Sequence, residues 1–237
     1  MLAENVQNIH ERITAACARV GRRPEEVTLI AVTKTFDAEK IREVVRAGVV
    51  DIGENYVQEL KEKQRRLAGQ QIRWHFIGHL QSNKVKSVVG TVCLIHSVDS
   101  VSLGREISKQ AERLGSRVEI FLEVNTSGES SKYGVSPEET ATLVKQVMQL
   151  SYIDVTGLMT IGPFLPDPEQ SRPAFSALKN IQRSLATEGI ALPHLSMGMT
   201  NDFEVAIEEG ATIVRIGTAI FGSRKKRDNV PSEKNPG

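Results

Sequence analysis

Lys34, Arg215 and two small, hydroxyl-bearing loops, Gly198 to Thr200 and Gly217 to Thr218, are the residues whose type and setting point to chemistry. Lys34 follows seven residues of buried type, Val27 to Thr33. A lysine at such a strand end is either a surface charge snorkelling outward or an amine lowered in pKa and nucleophilic towards an aldehyde. Gly198 and Gly217 allow close backbone approach, and Thr200 and Thr218 supply hydroxyls. A helix opening near residue 201 would turn its free N–H groups towards an anion. The same residues also make ordinary tight turns. A phosphate site and a lysine in one mouth are what a phosphorylated aldehyde needs. Arg215 interrupts a strand otherwise fit for burial, so its guanidinium needs a partner, either a carboxylate or a ligand acceptor.

These residues need a frame that gathers strand ends. Strand-like and helix-like segments alternate along the chain. Residues 3–20 place Val6, Ile9, Ile13, Ala16 and Val20 at three- and four-residue steps before Gly21, which predicts an amphipathic helix ahead of the first strand. Eight apolar runs follow, at 27–33, 49–52, 74–77, 92–98, 118–124, 153–159, 194–197 and 212–216. Runs of this kind suit a parallel sheet covered on both faces. Helix starts are marked at Ser136-Pro137-Glu138-Glu139 and Asp167-Pro168-Glu169-Gln170, and Gly210 closes a short helix. Strands alternating with helices at this length predict an α/β fold, a single (β/α)8 TIM barrel, with a doubly wound open sheet as the alternative. Barrel sites lie at the C-terminal strand ends, and phosphate sites often use the loops after strands seven and eight. The barrel domain is expected over 1–222, followed by a disordered polar tail over 223–237.

Lys and Arg number 30 against 29 Asp and Glu, a net charge of +1, so no global field favours nucleic acid or an anionic membrane. No apolar stretch reaches membrane-spanning length. The first residues lack the charge and apolar pattern of a signal peptide, so a cytoplasmic protein is expected. Cys17 and Cys93 read as ordinary buried thiols in a reducing compartment. No residue is assigned to a metal.

Longer motifs stand in order around these residues. They are Val32-Thr33-Lys34, Gly53-Glu54-Asn55-Tyr56-Val57-Gln58-Glu59, Trp74 to Lys84, Ser131-Lys132-Tyr133-Gly134, Gly157 to Gly162, Ser196 to Asp202, and Val214 to Gly222. The set resembles the pyridoxal phosphate homeostasis protein family, related to the N-terminal barrel domain of alanine racemase. The resemblance implies a fold-type III barrel that carries pyridoxal 5′-phosphate (PLP) as a Schiff base on Lys34. It implies contacts around the phosphate from Ser196, Thr200, Gly217 and Thr218, with Gly198 expected beside them from its loop, and places Arg215 against the pyridine nitrogen. Asn55 and Met159, at the ends of the second and sixth strands, complete the expected cofactor-binding set. Thr200 stands where the family pattern has serine, and the hydroxyl is kept.

An arginine donates and keeps its proton, so the ring opposite it is a weak electron sink. Racemisation also needs an acid/base on the opposite face, which alanine racemases draw from another domain, and no such domain is expected after the eighth strand. A PLP carrier without robust catalysis and with no catalytic residue is therefore expected, acting in PLP buffering or delivery. A monomer is expected, with PLP-dependent apoenzymes or a regulatory protein as partners. A PLP-dependent amino-acid racemase is the alternative; a barrel isomerase or aldolase acting on a sugar phosphate through Lys34 is the third reading.

Overall fold

The computed structural model describes residues 1–129 and 131–222. The expected tail over 223–237 lies outside the described residues. Eight parallel strands close into a barrel in chain order: β1 (Thr28–Val32), β2 (Asp51–Glu54), β3 (Arg73–Phe76), β4 (Leu94–Val98), β5 (Val118–Glu123), β6 (Ile153–Met159), β7 (His194–Ser196) and β8 (Ile213–Ile216). The seam pairs β1 with β8, from Thr28↔Ile213 to Ala31↔Ile216. The open-sheet alternative is thereby excluded.

The helices are α1 (Leu2–Arg19), α2 (Ala38–Arg46), α3 (Val57–Arg66), α4 (Val101–Leu114), α5 (Thr140–Val147), α6 (Arg172–Thr187), α7 (Phe203–Glu208) and α8 (Thr218–Phe221). A 3-10 segment, Ser82–Ser87, takes the place of an α-helix between β3 and β4. Among the described residues, no helix is long and apolar enough to cross a membrane.

The strands bury both faces, as their apolar runs predict. Leu29 and Ala31 face the helices, whereas Ile30 between them points inward. Inside the barrel Ile30, Leu94, Phe121, Met159 and Ile213 form a small plug of their own. Each such side chain contributes about 2 kcal/mol by leaving water. α1 extends the outer core with buried Val6, Ile9, Ile13 and Ala16.

Three local expectations are corrected. Val20 is 41% exposed, because α1 ends at Arg19 and the chain turns away through Gly21 at φ +67°. Cys93 is exposed rather than buried; β4 starts one residue later, leaving Cys93 on the N-terminal rim, while Cys17 is buried. The turn at Ser136 is present, with the Glu139 amide donating to Ser136 Oγ at 3.3 Å, but α5 begins only at Thr140.

Candidate active site at the barrel mouth

Lys34 leaves β1 in a tight turn between two threonines. Thr35 has φ +70°, a left-handed conformation that costs a β-branched residue about 1–2 kcal/mol. A buried ion cluster holds the turn on both sides. Thr33 Oγ1 donates to Glu54 Oε1 (2.5 Å), and the Thr35 amide donates to Glu59 Oε2 (2.7 Å). Lys63 Nζ joins them, donating to Glu54 Oε1 (2.6 Å), Glu59 Oε2 (2.8 Å) and the Thr33 carbonyl (2.7 Å). Burial pushes the Glu54 carboxyl up, with Lys63 opposing. Backbone strain held in this way beside one lysine marks a position that must be kept.

Lys34 lines a cavity of about 660 Å³ together with Thr200, Arg215, Gly217 and Thr218. That volume suits a small ligand. Its far wall is the loop from Pro163 to Pro166, tied to the β7–α7 loop by Asn201 Nδ2 donating to the Leu165 carbonyl at 2.9 Å. The Ala219 amide donates to Thr200 Oγ1 (3.3 Å), which joins the loops after β7 and β8. Asp202 Oδ1 accepts from the Met199 amide at 2.7 Å and shapes the same loop.

Arg215 is 4% exposed, and among the described residues no carboxylate lies within ion-pair distance of it. Nη1 donates to Ser196 Oγ (2.5 Å) and Nη2 to the Thr160 carbonyl (2.9 Å). Burial pulls its pKa down to about 10, with Glu123 and Asp202 pulling it back up, so it stays charged at neutral pH. A cation held without an anion partner, and lining a cavity, suits a ligand that brings the acceptor.

The other predicted residues fall elsewhere. Ser196 is fully buried, and its hydroxyl lies between Arg215 and His96, because side chains alternate along β7 and Ser196 points into the barrel. Gly198 sits at φ +92°, where a Cβ would stand 2.5 Å from Ala206 Cβ; it lets the loop pack on α7 and does not line the cavity. Met159 belongs to the interior plug. Asn55 lines a second cavity of about 470 Å³ with Tyr56, His79, Lys84 and Tyr133, and its Oδ1 is buried without a donor among the described residues.

The sequence reading missed the Glu54–Glu59–Lys63 cluster. The i,i+4 spacing of Glu59 and Lys63 was a visible signal, but such pairs usually mark a solvated helix face. It also missed Val32 and Phe36 in the cavity wall, and the histidines inside the barrel.

The alanine racemase N-terminal domain family matches residues 5–225. A pyridoxal phosphate homeostasis protein of Aquifex aeolicus is 48% identical over 223 residues, covering 94% of this chain and 98% of that protein. PipY of Synechococcus elongatus, solved with PLP bound, is 32% identical with a TM-score of 0.82, covering 94% of this chain and 100% of that one. An alanine racemase of Clostridium difficile shares the fold, with a TM-score of 0.71 at 17% identity over 96% of this chain and 58% of its own. Lysine, hydroxyl loops and an acceptor-seeking arginine thus lie at the mouth of a barrel whose whole length is shared, and the chain belongs to the pyridoxal phosphate homeostasis protein family, built on the alanine racemase N-terminal domain.

Proposed function

We propose that this protein carries PLP covalently on Lys34 and serves cytoplasmic PLP homeostasis, buffering or delivering the cofactor without robust turnover. The observation that carries the reading is the joint lining of one cavity by Lys34, Thr200, Arg215, Gly217 and Thr218. Thr200, Gly217 and Thr218 hold the phosphate, and Lys34 Nζ makes the covalent link. Arg215 donates to the ring nitrogen and keeps its own proton. When bound, PLP supplies an electrophilic aldehyde carbon and a conjugated ring. The relative's name and the PLP-bound neighbour support this assignment.

Weak chemistry follows from the same residues. A donor-only partner leaves the ring a poor electron sink. Tyr56 and Tyr133, the tyrosines with acid/base potential near the mouth, are 54% and 57% exposed and line the second cavity, not the one containing Lys34. The protein acts as a monomer in this reading. PLP-dependent apoenzymes receive the cofactor, or a regulatory protein senses it.

Purified protein incubated with PLP should absorb near ~420 nm and retain the cofactor after borohydride reduction. Lys34→Ala should lose both signals. A wild-type protein without the band, or brisk exchange of Cα deuterium into alanine or serine, defeats the binding or the non-catalytic half of the reading respectively.

A further inference from the structure

Five buried polar side chains, each from a different strand, run through the barrel as one hydrogen-bonded string. Arg215 (β8) Nη1 meets Ser196 (β7) Oγ at 2.5 Å, and Ser196 Oγ meets His96 (β4) Nδ1 at 3.0 Å. His96 Nε2 meets His75 (β3) Nδ1 at 3.1 Å, and His75 Nε2 meets Asp51 (β2) Oδ1 at 2.8 Å. None of the five is more than 6% exposed. Asp51 opens β2 and its Oδ2 is held by Arg73 at 2.5 Å, so that end lies at the N-terminal face. The other end, Arg215, lines the cavity at the opposite face.

Both ends have fixed polarity, and they impose one direction on everything between them. Arginine donates only, so Ser196 Oγ accepts from it and turns its own proton to His96 Nδ1. Burial, with His75 and Arg215 nearby, keeps His96 neutral, so its remaining proton sits on Nε2 and is donated to His75 Nδ1. His75 then donates from Nε2 to Asp51. Burial raises the Asp51 pKa, but hydrogen bonds from His75 and Arg73 outweigh it and hold the carboxyl below its usual range, so it is an acceptor. Reversing the string would set an unprotonated His75 Nε2 against a carboxylate at 2.8 Å. It would also leave the serine proton without an acceptor in the string. Ser196, His96 and His75 each accept once and donate once, Arg215 only donates and Asp51 only accepts.

We propose that Asp51, His75, His96 and Ser196 are positioning residues for Arg215, a string that fixes the guanidinium's aim at the bound ring from the far face of the barrel. The role towards the ring rests on the PLP reading above; the string itself does not. A guanidinium on a long flexible stem needs such anchoring, since the hydroxyl that receives it can otherwise rotate. The Thr160 carbonyl holds the second Nη, so the plane is set at two points.

The test uses the full chain with ¹⁵N-labelled histidine, first without cofactor. Long-range ¹⁵N–¹H correlation should show the His96 proton on Nε2 and a His75 that donates from Nε2. Asp51→Ala should turn them into tautomer mixtures. A wild-type His96 in the Nδ1–H form, or a His96 pattern unmoved by Asp51→Ala, overturns the string. PLP is then added. Asp51→Ala should still be trapped on Lys34 by borohydride, but with a shifted absorption maximum and about tenfold weaker binding. Unchanged spectrum and affinity overturn the positioning role, since a merely structural loss would lower stability and leave the spectrum in place. If Asp51→Ala does not fold, Asp51→Leu keeps much of the side-chain shape, cannot accept a hydrogen bond and carries the same readouts. A wild-type protein that takes up no PLP overturns the cofactor reading and the role towards the ring, while the histidine tautomers still judge the string.

Discussion

Arg215 and Glu123 show how burial without direct pairing leaves charges poised near the candidate site. Glu123 ends β5 and is 4% exposed, and burial pushes its pKa up to about 7, with Arg215 lowering it and Asp99 raising it. The raised value means the folded state binds the extra proton. Stability from this group is therefore full below the ordinary carboxylate pKa of 4.5 and is lost as pH rises through about 7. The loss amounts to roughly 3 kcal/mol. Glu123→Gln removes the titration, so between pH 5 and 8 the wild type should lose roughly 3 kcal/mol more than the variant in urea unfolding. Parallel pH profiles would show that Glu123 titrates normally. At this scale Lys34 and Arg215 were legible, because a lysine ending a strand and an arginine inside one are both anomalies of type. The contacts of Ser196 with Arg215 and His96 were not legible, because the side a strand residue faces depends on register and not on its neighbours in sequence.

The element that matters most is the turn after β1. Its conformation is held by α3 and β2 through Lys63, Glu54 and Glu59. Lys63→Met should leave the fully buried Glu54 without its cation and cost about 3–5 kcal/mol in chemical unfolding, while Glu54→Gln with Lys63→Met should recover most of it. If the single and double variants are equally unstable, the cluster is not the source of the effect. At Gly198 the left-handed φ and the 2.5 Å approach to Ala206 predict that Gly198→Ala loses at least about 2 kcal/mol, read as a fall in the urea midpoint with unchanged slope. A midpoint within error of wild type would mean the loop relaxes freely. Element types were legible from the runs and their punctuation. Boundaries moved by one to three residues at Val20, Cys93 and Thr140, where rim geometry makes an element shorter than its sequence pattern.

For the whole molecule, a ligand seated between the ends of β1, β7 and β8 bridges the barrel's own seam. PLP at a hundredfold excess over its dissociation constant should add about 2.7 kcal/mol by mass action. That corresponds to roughly 5–10 °C in Tm for a chain of this size, with Lys34→Ala losing most of the shift. A wild-type Tm indifferent to PLP would count against a ligand at the seam. By itself, the sequence determined the eight-strand alternation, the mouth-facing lysine and the hydroxyl loops after β7 and β8. These follow from local patterns, since periodicity, turn residues and residue type act within a few positions. Only the tertiary structure decided that Lys63 reaches back to Thr33, that Ser196 turns to Arg215, and that Asp51, His75 and His96 connect to it across the barrel. Those contacts join residues 19 to 100 positions apart, and barrel closure with strand register brings them together.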